Sequence, residues 1–453
     1  MSEKRKTFLL VLIALSTIIS VMNGTMFNIV LPNIREDFHL TASMMGWVST
    51  SFLVIYAVST AIYGKATERY SLKTLVIFAF SILVVSDLLG FFAVNYTMVL
   101  AARALQAVGT AVVPSLSMII PARYVSLKDR GMAFGLMATG AALGSTIGPT
   151  IAGFVAETFG WESLFLLSLG LPLALPLYLK LLPEDKGHDV SIDFLGGVLL
   201  ASGSAFLLIT ITHFSLLFFA ISMVSWGLFA WRLLRAKHPF IQLSLFRNQR
   251  YVRILGFLFV FTFVSSTVSF VTPLYLSAVY LAGPSEIGLL ILPATIITAL
   301  LGAVGGKIVD RFGASVLYRI AATLLLFYFL ITSVILGFPK SWAVVLLVFG
   351  VLGTSYLTMA LSNFTSYTLP EKDIGIGMGL YSLVYFMAFA FSSVVASKMI
   401  DWGFVAFTVN LSTQNEQAVL YSNILIAFAF ILLLSIVVFG TQLKHFRPSS
   451  AEA

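Results

Sequence analysis

The chain is 453 residues long, 59% hydrophobic and only 10% charged, with a formal net charge of +8 and no cysteine. A soluble protein carries about 25% charged residues, so most of this chain belongs in lipid. The positive balance then reads as Lys and Arg on cytoplasmic loops rather than as a nucleic-acid surface, and disulfide and thiol chemistry are excluded.

A spanning helix needs roughly 20 apolar residues. By that rule the sequence predicts helices near 8–31, 44–64, 74–93, 97–119, 132–155, 163–182, 194–212 and 214–234. Six more follow near 254–276, 285–305, 315–337, 341–362, 376–396 and 421–441. That makes about fourteen. The basic start Lys4-Arg5-Lys6 leads directly into the first span, so no cleavable leader is expected. Lys65, Arg69 and Lys73, then Arg123, Lys128 and Arg130, then Arg232 to Arg253, mark alternate loops as basic. Both termini are therefore expected in the cytoplasm, with the loop at 397–420, which holds Asp401 and Glu416, the longest one outside. The expected organisation is a six-helix bundle over 1–182, a two-helix insertion with its flanking loops over 183–253, and a second six-helix bundle over 254–453.

A loop pattern occurs twice. The first copy holds Gly64, Lys65, Glu68, Arg69 and Lys73; the second holds Gly306, Lys307, Asp310 and Arg311. Each copy is expected to close one helix, at a glycine where a bulky residue would block close approach, and to lead towards the next. The acids can pair with neighbouring basic groups or helix ends, latching one conformation. A solvated turn that merely sets topology is the plainer alternative, but duplication at equivalent places favours a secondary transporter built from two related halves.

Helix four carries Arg103, Gln106 and Gly109, followed by Pro114. A buried arginine is costly and needs a partner or a wet cavity, unless it reaches the outer interface. Helix five carries Gly140, Gly144, Gly148, Pro149 and Gly153. Steps of four place the first three glycines on one face, where a partner helix can approach closely.

These residues resemble the major facilitator superfamily over essentially the whole chain, in its fourteen-helix drug:proton antiporter branch. The chain is especially similar to the tetracycline and quaternary-ammonium multidrug efflux pumps of Gram-positive bacteria. The resemblance rests on Trp47 to Lys65, Arg103 with Gln106, Ala122 to Gly135, Gly148-Pro149, Ser285 to Gly288 and Gly305 to Arg311. It implies an all-α membrane fold of two six-helix bundles plus two extra transmembrane helices. The bundles would be related by a pseudo-two-fold axis along the membrane normal, with the extra helices outside that core. It further implies proton-coupled drug efflux, a bacterial cell membrane, and a protein that works as a monomer with no cofactor and no nucleic acid. The glycine–proline pattern of helix five resembles the antiporter motif of exporters. Movement of a lipid, metabolite or osmolyte is the alternative activity.

The sequence also departs from that branch. Asn23 stands where many of its pumps have an aspartate, helix five reads Gly144-Ser145-Thr146 with no acid, and Ser71 replaces the usual loop glycine. These changes weigh against tetracycline–metal specificity and remove the obvious proton carriers. Asp87 in helix three then becomes the proton-coupling candidate. It lies as many residues before Asn95 as Arg103 lies after it, so the two should share a depth roughly 10 Å inside the outer end. An Asp87–Arg103 pair is expected, with Glu286 the second choice; a purely structural ion pair is the plainer reading. Asn23, Asn28, Gln106, Ser266, Phe270, Tyr381 and Tyr385 are candidates to line a cavity for flat, apolar or cationic drugs. No phosphate-binding loop, metal-ligand cluster or nucleophile–base arrangement stands out, which sets ATP-driven transport and enzyme chemistry aside.

Overall fold

A computed structural model describes residues 3–125, 127–183, 193–236, 239–241, 243–370, 374–403, 410 and 415–442, and some helical side chains within them are not described. Every regular element among them is a helix. In chain order these are α1 (Glu3–Thr25), α2 (Phe27–Asp37), α3 (Ala42–Arg69), α4 (Leu72–Phe91), α5 (Tyr96–Thr110), α6 (Val112–Tyr124) and α7 (Leu127–Phe159). Then come α8 (Leu164–Leu167), α9 (Gly170–Leu173), α10 (Leu175–Leu181), α11 (Phe194–His213) and α12 (Leu216–Arg235). The last six are α13 (Gln249–Tyr280), α14 (Pro284–Phe312), α15 (Ala314–Ile335), α16 (Lys340–Tyr367), α17 (Ile374–Asp401) and α18 (Glu416–Gln442). Short 3-10 turns occur at Trp161–Ser163 and Leu243–Arg247.

Among the described residues 13 stretches are long and apolar enough to cross a membrane. The 33-residue α7 occupies the place of the fifth expected span. Three expected spans are interrupted. The first breaks at Met26, next to Gly24 and Thr25, two weak helix formers. The fourth breaks at Ala111, because Pro114 has no N–H for the Thr110 carbonyl. Ser20 Oγ donates to that carbonyl instead, at 3.3 Å. The sixth is cut into α8, α9 and α10 at Gly170, Pro172 and Pro176.

The duplicated motif is helical rather than a loop. Helix α3 runs on through Arg69, and α14 through Phe312. The two copies turn differently. Ser71 has φ −63° and caps α4 by accepting from Thr74 N, whereas Gly313 has φ +82°. Serine is tolerated in the first copy because that turn is extended; the second needs glycine. The expected crowding at the motif glycines is not found among the described residues: a Cβ on Gly64 or Gly306 would meet none of their atoms within 4 Å. Asp401, expected in an outer loop, ends α17 and accepts from the backbone N–H groups of Ala42 (2.7 Å) and Ser43 (2.9 Å).

The chain divides into two compact units, Met1–His39 with Trp47–Ile241, and Leu40–Gly46 with Gln242–Ala453. The pair α11–α12 thus belongs to the first. Matching contacts recur inside both units. A Cβ on Gly109 would lie 2.9 Å from Ala79 O and 2.7 Å from Leu83 Cβ; one on Gly353 would lie 3.2 Å from Ala321 O and 2.8 Å from Leu325 Cγ. Each pair of contacts lets two antiparallel helices, α4 with α5 and α15 with α16, touch backbone to backbone.

Candidate functional site

The α4–α5 pair begins with a sharp link in which Asn95 Oδ1 accepts from Met98 N at 3.0 Å. The close approach at Gly109 then holds the two helices in register. Asp87 on α4 and Arg103 and Gln106 on α5 consequently meet in the interior of the first unit, all with no exposed surface. The expected direct pair is replaced by a relay. Gln106 Oε1 accepts from Arg103 Nη1, while Gln106 Nε2 donates to Asp87 Oδ1 at 2.8 Å and to Ser168 Oγ at 2.7 Å. Asn23 Nδ2 donates to the same Ser168 Oγ at 2.8 Å.

Arg103 has further partners, so that each of its three nitrogens donates. Its Nε donates to Val48 O at 3.3 Å and its Nη2 to Asn23 O at 3.2 Å. Phe27 and Phe52 sandwich the guanidinium, with ring centres 4.1 and 4.2 Å away. A desolvated cation over an aromatic face gains about 2 kcal/mol, which offsets part of the cost of taking it out of water. Asp87 is the opposite case: its Oδ2 is buried and has no hydrogen-bond partner among the described residues. The network therefore holds a fixed cation and a carboxylate with one oxygen free for a proton, a water or a ligand donor.

Asn28 accepts from Ser49 Oγ at 2.6 Å, and its buried Nδ2 is likewise without a partner. Glu286 lies elsewhere, in the second unit, in an ion pair with Lys340 whose two side chains are 43% and 47% exposed. Of the other cavity candidates, Ser266 donates to Phe263 O within α13, and Phe270 is fully buried. Tyr381 donates to Thr358 O at 3.3 Å and stacks on Tyr385, ring centres 6.4 Å apart. These four belong to the second unit, and Asn23, Asn28 and Gln106 to the first.

The glycine face of α7 mates with α1. A Cβ on Gly140 would lie 2.5 Å from Ala14 O, one on Gly144 2.4 Å from Ile18 O, and one on Gly148 2.8 Å from Met22 Cγ. Pro149 lies inside the same helix and Gly153 is buried. In the duplicated motif, Arg69 and Arg311 each lie over the ring of the next residue, Tyr70 and Phe312, at 5.7 and 5.5 Å. The side chains of Glu68 and Asp310 lie outside the described ones. Lys73 is half-buried.

Sequence reasoning missed Ser168, Phe27 and Phe52. An apolar run holding one serine, or a phenylalanine in a span, gives no signal; only the fold brings them to Arg103.

The family model "Major Facilitator Superfamily" matches residues 13–393. The riboflavin transporter RibZ of Clostridioides difficile is 26% identical over 69% of this chain and 70% of its own length. The uncharacterized MFS-type transporter YvkA of Bacillus subtilis is 26% identical over 88% of this chain and 91% of its own. Among solved structures, a POT family transporter in complex with 5-aminolevulinic acid superposes with a TM-score of 0.67 at 16% identity, covering 94% of each chain. A bacterial homologue of the human lysosomal transporter Spinster gives 0.62 at 15%, covering 96% of this chain and 98% of its own. At such identities these two likenesses establish the fold.

Proposed function

Because this chain belongs to the major facilitator superfamily of membrane transporters, we propose that it exports hydrophobic or cationic drugs across a bacterial cell membrane in exchange for protons. Both termini are assigned to the cytoplasm. The observation that carries the reading is the Oδ2 of Asp87, a carboxylate oxygen buried inside a polar network of a membrane-spanning helix with no hydrogen-bond partner among the described residues. A buried acid in a span is costly and is retained for a function. Here Gln106 fixes one oxygen and is itself held by Arg103. The other oxygen takes either a proton or a cationic drug, and one site that holds one or the other produces antiport. The close α1–α7 packing supplies the rigid frame, and Gly64, Glu68, Arg69, Lys73, Gly306, Asp310 and Arg311 bias the exchange between conformations. Asn23, Asn28 and Gln106 in the first unit, and Ser266, Phe270, Tyr381 and Tyr385 in the second, are the candidate drug contacts of each unit taken by itself. Glu286, in an exposed ion pair, is the second proton-coupling candidate.

The test uses everted vesicles with a pre-formed proton gradient. Tetraphenylphosphonium should release protons from vesicles with the parent protein and not from those with Asp87→Asn at equal membrane abundance. Normal release by Asp87→Asn would move the coupling elsewhere, first to Glu286. The likeness to RibZ favours a second reading, movement of a flat heteroaromatic metabolite such as riboflavin. Gradient-independent riboflavin flux without any cation response would favour it.

A further inference from the structure

The two copies of the duplicated motif differ at their lysines. Lys307 is exposed, but Lys65 is drawn onto the segment that follows α12. Its Nζ donates to the Pro239 carbonyl and lies 5.7 Å from the centre of the Phe240 ring. Phe240 is itself buried, and its backbone N–H donates to Asp193 Oδ2 at 3.1 Å. Asp193 caps α11 by accepting from Gly196 N at 2.9 Å, and it pairs with Arg232 in the last turn of α12. One carboxylate, only 4% exposed, thus ties together the start of α11, the end of α12 and the strap that holds Lys65. Charge-assisted hydrogen bonds of this kind are stronger than neutral ones.

The same pair grips α3 at two further levels. A Cβ on Gly197 of α11 would lie 3.1 Å from both Ile62 Cδ1 and the Phe240 ring. Near the other end of α3, Trp47 Nε1 donates to Thr212 Oγ1 at 3.2 Å. Helix α11 is therefore fastened along the length of the helix that carries the first motif copy.

We infer that the inserted pair α11–α12 is a positioning module for the first motif copy, acting through Asp193, Arg232 and the Pro239–Phe240 strap on Lys65. The second copy has no such insertion after it, so the two motif copies do not respond alike. Asp193 and Arg232 are positioning residues in this scheme: they touch neither drug nor proton carrier, and they set how readily the end of α3 moves. The inference rests only on the chain being a transporter that changes conformation.

Hydrogen–deuterium exchange on the purified full chain tests it. Asp193→Asn keeps the side-chain shape and removes the charge. It should raise amide exchange about tenfold both at Phe240 and Ile241 and at the Ile62–Arg69 end of α3. Lys65→Met should raise exchange at the α3 end alone, Lys65→Arg should restore it, and the double variant should exceed neither single one there. An unchanged α3 end in Asp193→Asn, or additive effects in the double variant, would overturn the inference. Arg232→Gln removes one arm of the same cluster and gives the same pattern should Asp193→Asn fail to fold. In vesicles each variant should slow tetraphenylphosphonium efflux without changing its Kd. If the parent moves no cation, the drug-efflux reading fails while the exchange pattern still judges the tether.

Discussion

At the scale of single residues, Arg103 shows why a charge survives inside an apolar bundle. Its guanidinium uses all three nitrogens, on two backbone carbonyls and Gln106, and lies over two aromatic rings, Phe27 and Phe52. A lysine cannot repeat this, because an ammonium has no planar faces and no fixed fork. Arg103→Lys should therefore lower stability by about 3 kcal/mol, the scale of breaking a buried charge cluster. A thermal melt in detergent would show it as a drop of several degrees. An unchanged midpoint would mean that the sandwich contributes little. Asp193 makes a prediction of opposite character. Burial raises its carboxyl, but hydrogen bonds from Arg232, Gly196 and Phe240 and the Arg232 charge outweigh this and hold it below its ordinary value of 3.8. A depressed carboxyl stabilises the fold above its unfolded value and loses that contribution as pH falls through the folded one. The tether to Lys65 should thus persist from neutral to mildly acidic pH and open only below the ordinary carboxylate range. Protection at Phe240 and Ile241 that fell already between pH 7 and 5 would contradict this.

At the scale of elements, the glycines divide into two kinds that share one letter. Gly144 faces the Ile18 backbone, with a Cβ placed 2.4 Å from a carbonyl oxygen that cannot move aside. Gly306 faces open space. Gly144→Val should force α1 and α7 apart, at about 1–3 kcal/mol. Gly306→Ala should be neutral or stabilising by up to about 1 kcal/mol, since alanine favours the helix over glycine. Side-by-side melting curves decide the matter; equal losses in the two variants would contradict the packing.

At the scale of the whole molecule, the repeated contacts at Gly109 and Gly353, and the twin arginine–ring contacts at Arg69 and Arg311, mark two related halves. The polar relay belongs to one half only. The positions equivalent to Asp87, by the match of Ala79 with Ala321, and to Arg103 and Gln106, by the match of Gly109 with Gly353, hold Phe329, Leu347 and Gly350. Among the described residues the buried acid–arginine network thus lies in the first half, with apolar residues or glycine at the matched positions of the second. The topology inferred from Lys and Arg is tested on this background, which has no cysteine of its own. A membrane-impermeant maleimide added to intact cells should label Trp402→Cys, and should label Arg69→Cys only after permeabilisation. The reverse order would invert the assignment.

Composition and period were enough for an all-helical membrane chain with many spans, of which 13 recur among the described residues, for two related halves, and for Asp87 and Arg103 at a shared depth. All of these follow from local rules: apolar run length, the cost of charge in lipid, and recurrence of a motif. The tertiary structure alone decided how Asp87, Arg103 and Gln106 are wired. Gln106 stands between the acid and the arginine, and the partners that complete the site, Ser168, Phe27, Phe52 and the Asn23 and Val48 carbonyls, come from α1, α2, α3 and the α8–α9 link, two of them as backbone that carries no side-chain signal. It also decided that Gly64 and Gly306 are uncrowded while Gly140, Gly144 and Gly148 are not, because a glycine's neighbours lie across a helix interface rather than along the chain. The grip of Asp193 and Phe240 on Lys65 was illegible for the same reason: a hydrogen bond to a backbone carbonyl distant in sequence leaves no mark on the residues that make it.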